Sequence, residues 1–174
     1  MLNTKKQEYL TLRRAFLPEP LKLIIVAESP PKSGLYFYNP TGRVGEPLFA
    51  AMMKQLGCKP KTKGEGLSEF QKRGWVLVDA IYEPVDGMSN KQRDEVILRD
   101  YPLLCADLAR LAADKKTPIV LVKANVCRLL ERKLTDDAFT VLNAGVEVYF
   151  PSNGRQGKFH EKFGAIIKTI GAER

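Results

Sequence analysis

Histidine is almost missing from this 174-residue chain, with His160 the only one, and cysteine occurs three times, as Cys58, Cys105 and Cys127. The cysteines form no CxxC pair and no short Cys/His spacing, which excludes a disulfide framework, a zinc site and an iron–sulfur cluster and leaves them as reduced, buried thiols. No cofactor and no metal are expected. Apolar runs are short: none approaches the roughly 18 uninterrupted residues of a membrane span. The first segment, MLNTKKQEYLTLRRAF, is too charged for a signal peptide. The expected location is cytoplasmic, with no membrane partner. Catalytic and nucleotide-binding signatures are also missing. Nothing resembles GxSxG, and Gly34, Gly42 and Gly45 make neither GxGxxG nor GxxxxGK[ST], which removes the commonest nucleotide enzymes. There is no internal repeat and no low-complexity tract.

What the chain does contain is a sizeable apolar fraction, 44%, enough for the core of one domain spanning residues 1–174, with residues 1–20 as a helical extension. Lys and Arg number 28 against 20 Asp and Glu, a net charge of +8 that favours polyanionic partners through phosphate contacts and counterion release. DNA, single- or double-stranded, is the expected partner of a monomer.

Four branched, apolar runs read as buried strands: LKLIIVA (21–27), WVLVDAI (75–81), PIVLVKA (118–124) and VEVYF (146–150). Helical patterns lie between them. EPLFAAMMKQLG (46–57) has Pro47 in its first turn and Gly57 as a stop, and LSEFQKRG (67–74) is a second, shorter helix. Ser89 caps a long helical stretch toward Asp114 that Pro102 is expected to break or kink near Tyr101. NVCRLLERKL (125–134) and GKFHEKFGAIIKTIG (157–171) follow, TKKQEYLTLRRAF precedes the pattern, and CKPKTKGEG (58–66) reads as a basic loop. Alternating helices and two-sided apolar strands specify a mainly parallel sheet covered by helices on both faces, and such sheets bind ligands beyond the carboxyl ends of their strands.

Polar groups gather at those ends. Strand one ends in Glu28-Ser29-Pro30-Pro31, strand two carries Asp79 and leads to Tyr82 and Glu83, strand three carries Lys123 and Asn125, and strand four ends in Phe150-Pro151-Ser152-Asn153-Gly154-Arg155. Asp79 interrupts an apolar run, where a carboxylate needs donors. It either caps a neighbouring segment or recognises a ligand on a cleft floor. Glu28 either pairs with Arg43 or Lys32 or belongs to the same site. Phe37, in Tyr36-Phe37-Tyr38, is either core or a platform for a nucleobase. His160, between Lys158 and Lys162, reads as an exposed or capping residue.

Taken together these strand ends resemble the uracil-DNA glycosylase superfamily. Ala27-Glu28-Ser29-Pro30-Pro31 looks like a variant of the family motif that closes the first strand. The path from Tyr36 through Gly42-Arg43-Val44-Gly45 into Pro47-Leu48-Phe49 is similar to the iron–sulfur branch, Asp79 falls where the family keeps a base-reading Asn, and Phe150-Pro151-Ser152-Asn153 echoes His-Pro-Ser-Pro. The likeness covers about residues 21–171. It implies a three-layer α/β/α sandwich around a central four-stranded, mainly parallel sheet. It also departs from the family: Ser29 stands where several branches keep a catalytic Asp or Asn, Phe150 replaces the His, Asp79 replaces the Asn, and the cluster cysteines are missing.

The activity that the resemblance implies is hydrolysis of the N-glycosidic bond of a damaged or deaminated base in DNA. Such cleavage develops positive charge on the sugar and negative charge on the base, so a carboxylate is wanted near one and donors near the other. Glu28, with Ser29 beside it, takes the catalytic place. Phe37, Tyr38, Asp79, Phe150 and Asn153 are the implied base-binding residues, and Lys32, Arg43, Ser152, Arg155 and Lys158 hold phosphates. An ionised Asp79 offers acceptors only, so the base is expected to present a donor there. The alternatives are a catalytically inactive nucleic-acid- or nucleotide-binding module of the same fold, and an unrelated doubly wound domain acting on a small phosphorylated or sugar substrate.

Overall fold

The computed structural model describes residues 2–172. In chain order the elements are α1 (Leu2–Arg14), β1 (Leu23–Ala27), α2 (Pro47–Leu56), α3 (Lys63–Lys72), β2 (Trp75–Asp79), α4 (Asn90–Leu111), β3 (Ile119–Leu121), α5 (Ala124–Asp136) and α6 (Gln156–Ala172). The three apolar runs that become strands are buried along their whole length. They form a parallel sheet in the order β2-β1-β3, with Ala27 opposite Asp79 and Val26 opposite Leu121. The chain is therefore α/β, as its alternating pattern specifies. Among the described residues no helix is long and apolar enough to cross a membrane.

The expected fourth strand is not there. Residues 146–150 are irregular, and β3 meets residues 140–143 instead: an isolated bridge joins Ile119 to Val141, with Ile119 N donating to Thr140 O at 2.8 Å and Leu142 N to Ile119 O at 2.9 Å. Asn143 explains the loss. Its side-chain amide accepts from Leu121 N at 2.8 Å and donates to Leu121 O at 3.0 Å, so one residue occupies the edge groups that another strand would pair. The segment still passes the end of the sheet, where Lys123 N donates to Val148 O at 2.7 Å.

Two helices also differ from expectation. Helix α4 runs unbroken through Pro102, which lies on its exposed side, and its start is fixed by a capping box in which Ser89 Oγ accepts from Gln92 N at 3.2 Å and Gln92 Oε1 accepts from Ser89 N at 2.9 Å. Helix α3 takes up the end of the basic 58–66 loop, because the Thr62 side chain accepts from Glu65 N at 3.2 Å and starts the helix early. Gly66, inside that helix, lets it lie against α2: a Cβ there would stand 2.4 Å from Phe49 Cζ and 2.8 Å from Met53 Sδ. Of the thiols only Cys127 is buried, while Cys58 and Cys105 are half-buried. His160 is neither free nor a cap; its Nδ1 lies 2.8 Å from Gln55 Nε2, joining α6 to α2, and burial followed by the Lys54 charge lowers its pKa.

Candidate functional site

Beyond the carboxyl edge of the sheet lies a cleft of about 350 Å³. Its floor is made by β1 and β2, whose pairing continues past their ends: Ala80 N donates to Ala27 O at 2.8 Å and Ile81 N to Glu28 O at 3.0 Å. This ladder puts Ala27 beside Asp79 and Glu28 one position further along, so both carboxyl residues come to the same edge of the sheet and both line the cleft. Ser29, Phe37 and Phe150 join them in the lining, so five residues singled out from the sequence meet around one space, together with Tyr36, Leu48 and Lys123.

Glu28 is 7% exposed and fully engaged. Lys123 Nζ donates to its Oε1 at 2.5 Å, Asn125 Nδ2 donates to its Oε2 at 2.5 Å, and Arg93 Nη1 stands 3.8 Å from Oε1. Neither Arg43 nor Lys32, the partners expected from the sequence, takes part. Arg43 is exposed, with its backbone N–H on Glu46 Oε2 at 2.6 Å, and the Lys32 N–H is on Asp86 Oδ2 at 2.6 Å. Lys123 reaches Glu28 from an unusual backbone: φ is 89° at the N-cap of α5, a region that non-glycine residues enter at a cost of about 1–3 kcal/mol.

Asp79 is 4% exposed and its Oδ2 has no hydrogen-bond partner among the described residues. It does not cap a neighbouring segment through that oxygen. Burial raises its pKa from 3.8 to about 7; the Arg13 charge opposes the shift, and Asp107 and Glu28 add to it. Near neutral pH this carboxyl therefore passes between a form that donates and a form that only accepts. Tyr36, on the same wall, has an equally buried and unpartnered hydroxyl, which burial and the Asp79 charge keep protonated. Asp79 also faces a second cavity of about 370 Å³ between α1 and α4, lined by Lys6, Tyr82, Arg99 and Asp107.

Phe37 is core and cleft at once: it is 7% exposed, its ring centroid lies 5.1 Å from Tyr38, 5.2 Å from Phe70 and 5.8 Å from Phe49, and it still lines the cleft. Tyr38 is not part of the lining. It is fully buried and its hydroxyl accepts from Leu77 N at 2.7 Å on the edge strand β2. Lys32, Arg43, Ser152, Asn153, Arg155 and Lys158 lie outside the lining; all but half-buried Ser152 are exposed. Asn153 sits in a tight turn at φ 53° before α6.

The sequence places Lys123 and Asn125 at the end of β3 but does not single them out as the groups that hold Glu28, and Arg93 carries no local signal at all. A buried pair also escapes sequence reading. Lys63, 1% exposed, donates to Glu46 Oε1 and to Tyr36 O, each at 2.7 Å, and thereby pins the loop that carries Tyr36 and Phe37. Burial lowers the Lys63 pKa, and Glu46 counters the shift. Among the described residues no group of three or more His, Cys, Asp or Glu is placed to hold a metal ion. No protein-family model matches the chain, and no curated protein matches it.

Proposed function

We propose that this protein is a base-excision hydrolase of the uracil-DNA glycosylase type, a three-layer α/β/α domain that cleaves the N-glycosidic bond of a damaged or deaminated base in DNA. The observation that carries the reading is the convergence of Glu28, Asp79, Phe37 and Phe150 from separate stretches of chain on one cleft of about 350 Å³. That volume admits a flat heterocycle with part of its sugar. An extruded base lies between the exposed edge of Phe37 and Phe150, with its polar edge toward Asp79 and Tyr36. Glu28, held in place by Lys123 and Asn125, presents its charge to the developing oxocarbenium and orients the attacking water.

Asp79 refines the expectation about the base. With a pKa of about 7, it donates to a carbonyl oxygen in its neutral form and accepts from an amino group in its ionised form. Base preference therefore turns over near neutrality, carbonyl-bearing bases at lower pH and amino-bearing bases above it.

The test is incubation with single- and double-stranded oligonucleotides carrying uracil, hypoxanthine, xanthine or a mismatch, below and above pH 7, followed by alkali to convert abasic sites into strand breaks. Breaks are expected, with Glu28→Gln reducing their rate by about 100-fold or more. If every substrate stays intact, the excision reading is wrong. A second reading then takes its place, a nucleic-acid-binding module without chemistry. One observation favours it: both Glu28 oxygens already accept from Lys123 and Asn125, which leaves little lone-pair capacity for water.

A further inference from the structure

Tyr149 and Phe150 are neighbours in the chain yet serve different places. Phe150 lines the cleft, whereas Tyr149 lines a separate groove beside α6. Three cations gather over the Tyr149 ring: the Arg155 guanidinium lies 4.9 Å from its centroid, Lys162 Nζ 5.1 Å and Lys158 Nζ 5.8 Å. All lie within the range of about 6 Å over which the negative face of an aromatic ring attracts a cation. None of the three takes part in an ion pair among the described residues, although Glu147 and Glu161 line the same groove.

Three like charges drawn to one ring repel one another, and the ring offsets part of that repulsion. The result is three cationic heads with no ion-pair partner among the described residues, beside the carboxylates of Glu147 and Glu161, on a protein whose net charge is already +8. The chemistry of the heads is suited to phosphate. The arginine fork binds two oxygens in one plane, and the two lysines, on the first and second turns of α6, add point charges. The turn at Asn153 and Gly154, with φ of 53° and 80°, brings Arg155 to the start of the helix.

We propose that Tyr149, Arg155, Lys158 and Lys162 form a phosphate-gripping face for the DNA backbone, with Tyr149 as the positioning residue that gathers the three cationic heads. The choice of DNA among polyanions rests on the excision reading above; the face itself rests on its own geometry. Arg155 and Lys158 thereby keep the phosphate role expected from the sequence, and Tyr149 and Lys162 join them.

Fluorescence anisotropy with a labelled single strand and its duplex, read over a salt series, tests this. In Arg155→Gln/Lys158→Gln/Lys162→Gln the slope of log affinity against log salt is expected to become shallower by about 2 for the single strand and by about 3 for the duplex, since each phosphate contact contributes about 0.7 or 0.9. Lys61→Gln/Lys91→Gln/Arg132→Gln removes the same charge elsewhere and is expected to keep the wild-type slope. Equal flattening in both triple variants overturns the proposal, as does no flattening in the first. Tyr149→Phe is expected to bind as wild type and Tyr149→Leu two- to fivefold more weakly, about the worth of an exposed cation–π contact. Wild-type affinity in Tyr149→Leu overturns the positioning role. Tighter capture by phosphatidylserine vesicles than by either oligonucleotide at matched salt overturns DNA as the partner. The two readings fail separately: loss of the excision reading leaves the slopes different with no strand breaks, and loss of this one leaves strand breaks with equal slopes.

Discussion

Asp79 holds a carboxyl in a place that disfavours its charge, and this makes the protein's stability depend on pH in an unusual direction for an acid. Its folded pKa, about 7, lies above the 3.8 of the free side chain. Between those values the folded protein keeps a proton that the unfolded chain has released. Stability from this residue is therefore complete below about pH 4 and is lost as pH rises through about 7, by an amount on the order of 4 kcal/mol. Asp79→Asn removes the effect: urea melts should show the variant matching wild type near pH 4 and clearly more stable at pH 8. Curves that stay parallel across the range would show that the carboxylate is satisfied after all. Lys63 is the opposite case, a buried charge that is well paired. Lys63→Met strands Glu46 and the Tyr36 carbonyl, and should lower stability by about 3 kcal/mol; Lys63→Met with Glu46→Leu should recover much of that loss. A double variant as unstable as the single one would contradict this account.

At the scale of elements, α4 shows how tertiary context overrides a local breaker. Pro102 cannot donate to the preceding turn, yet the helix continues, because the proline lies on the solvent side and the opposite side is held by buried Ile97, Leu104 and Leu108. Pro102→Ala should stabilise the protein by about 1–3 kcal/mol, read as a higher denaturation midpoint at constant m-value; no gain would mean that α4 bears the proline without loss. The contact of α3 with α2 has the reverse sensitivity. Gly66→Ala gains helix propensity but drives a methyl into Phe49 and Met53, and overpacking of this kind costs about 1–3 kcal/mol. Because Phe49 also lines the cleft, the same variant should weaken oligonucleotide binding, measured by anisotropy. Unchanged stability and unchanged binding would show that α3 yields easily.

Across the whole molecule, α1 reaches the site from outside the repeating pattern. Arg13 makes a two-pronged ion pair with Asp107 at 2.7 and 2.8 Å and donates to the Tyr82 hydroxyl at 3.0 Å, so α1 is tied to α4 beside the second cavity that Asp79 faces. The Arg13 charge also lowers the Asp79 pKa. Arg13→Met should therefore move the Asp79 titration, followed by carboxyl carbon NMR, above its wild-type midpoint; a downward shift would rule out this coupling. The sequence by itself determined the alternation of elements, β1, β2 and β3 as buried strands and the gathering of Glu28, Ser29 and Asp79 at one edge of the sheet, whereas Phe150 reaches that edge without the fourth strand expected to carry it. Those follow from hydrophobic pattern and chain direction, which are local. Only the tertiary structure decided that the sheet stops at three strands, because the side chain that occupies its edge, Asn143, looks locally like any loop asparagine. It likewise decided that Tyr38 bonds the edge strand β2 while Phe37 reaches the cleft, and that Glu28 answers to Lys123, Asn125 and Arg93. Each of these is a pairing between groups far apart in the chain, and such pairings depend on how elements pack, which no local pattern of residues contains.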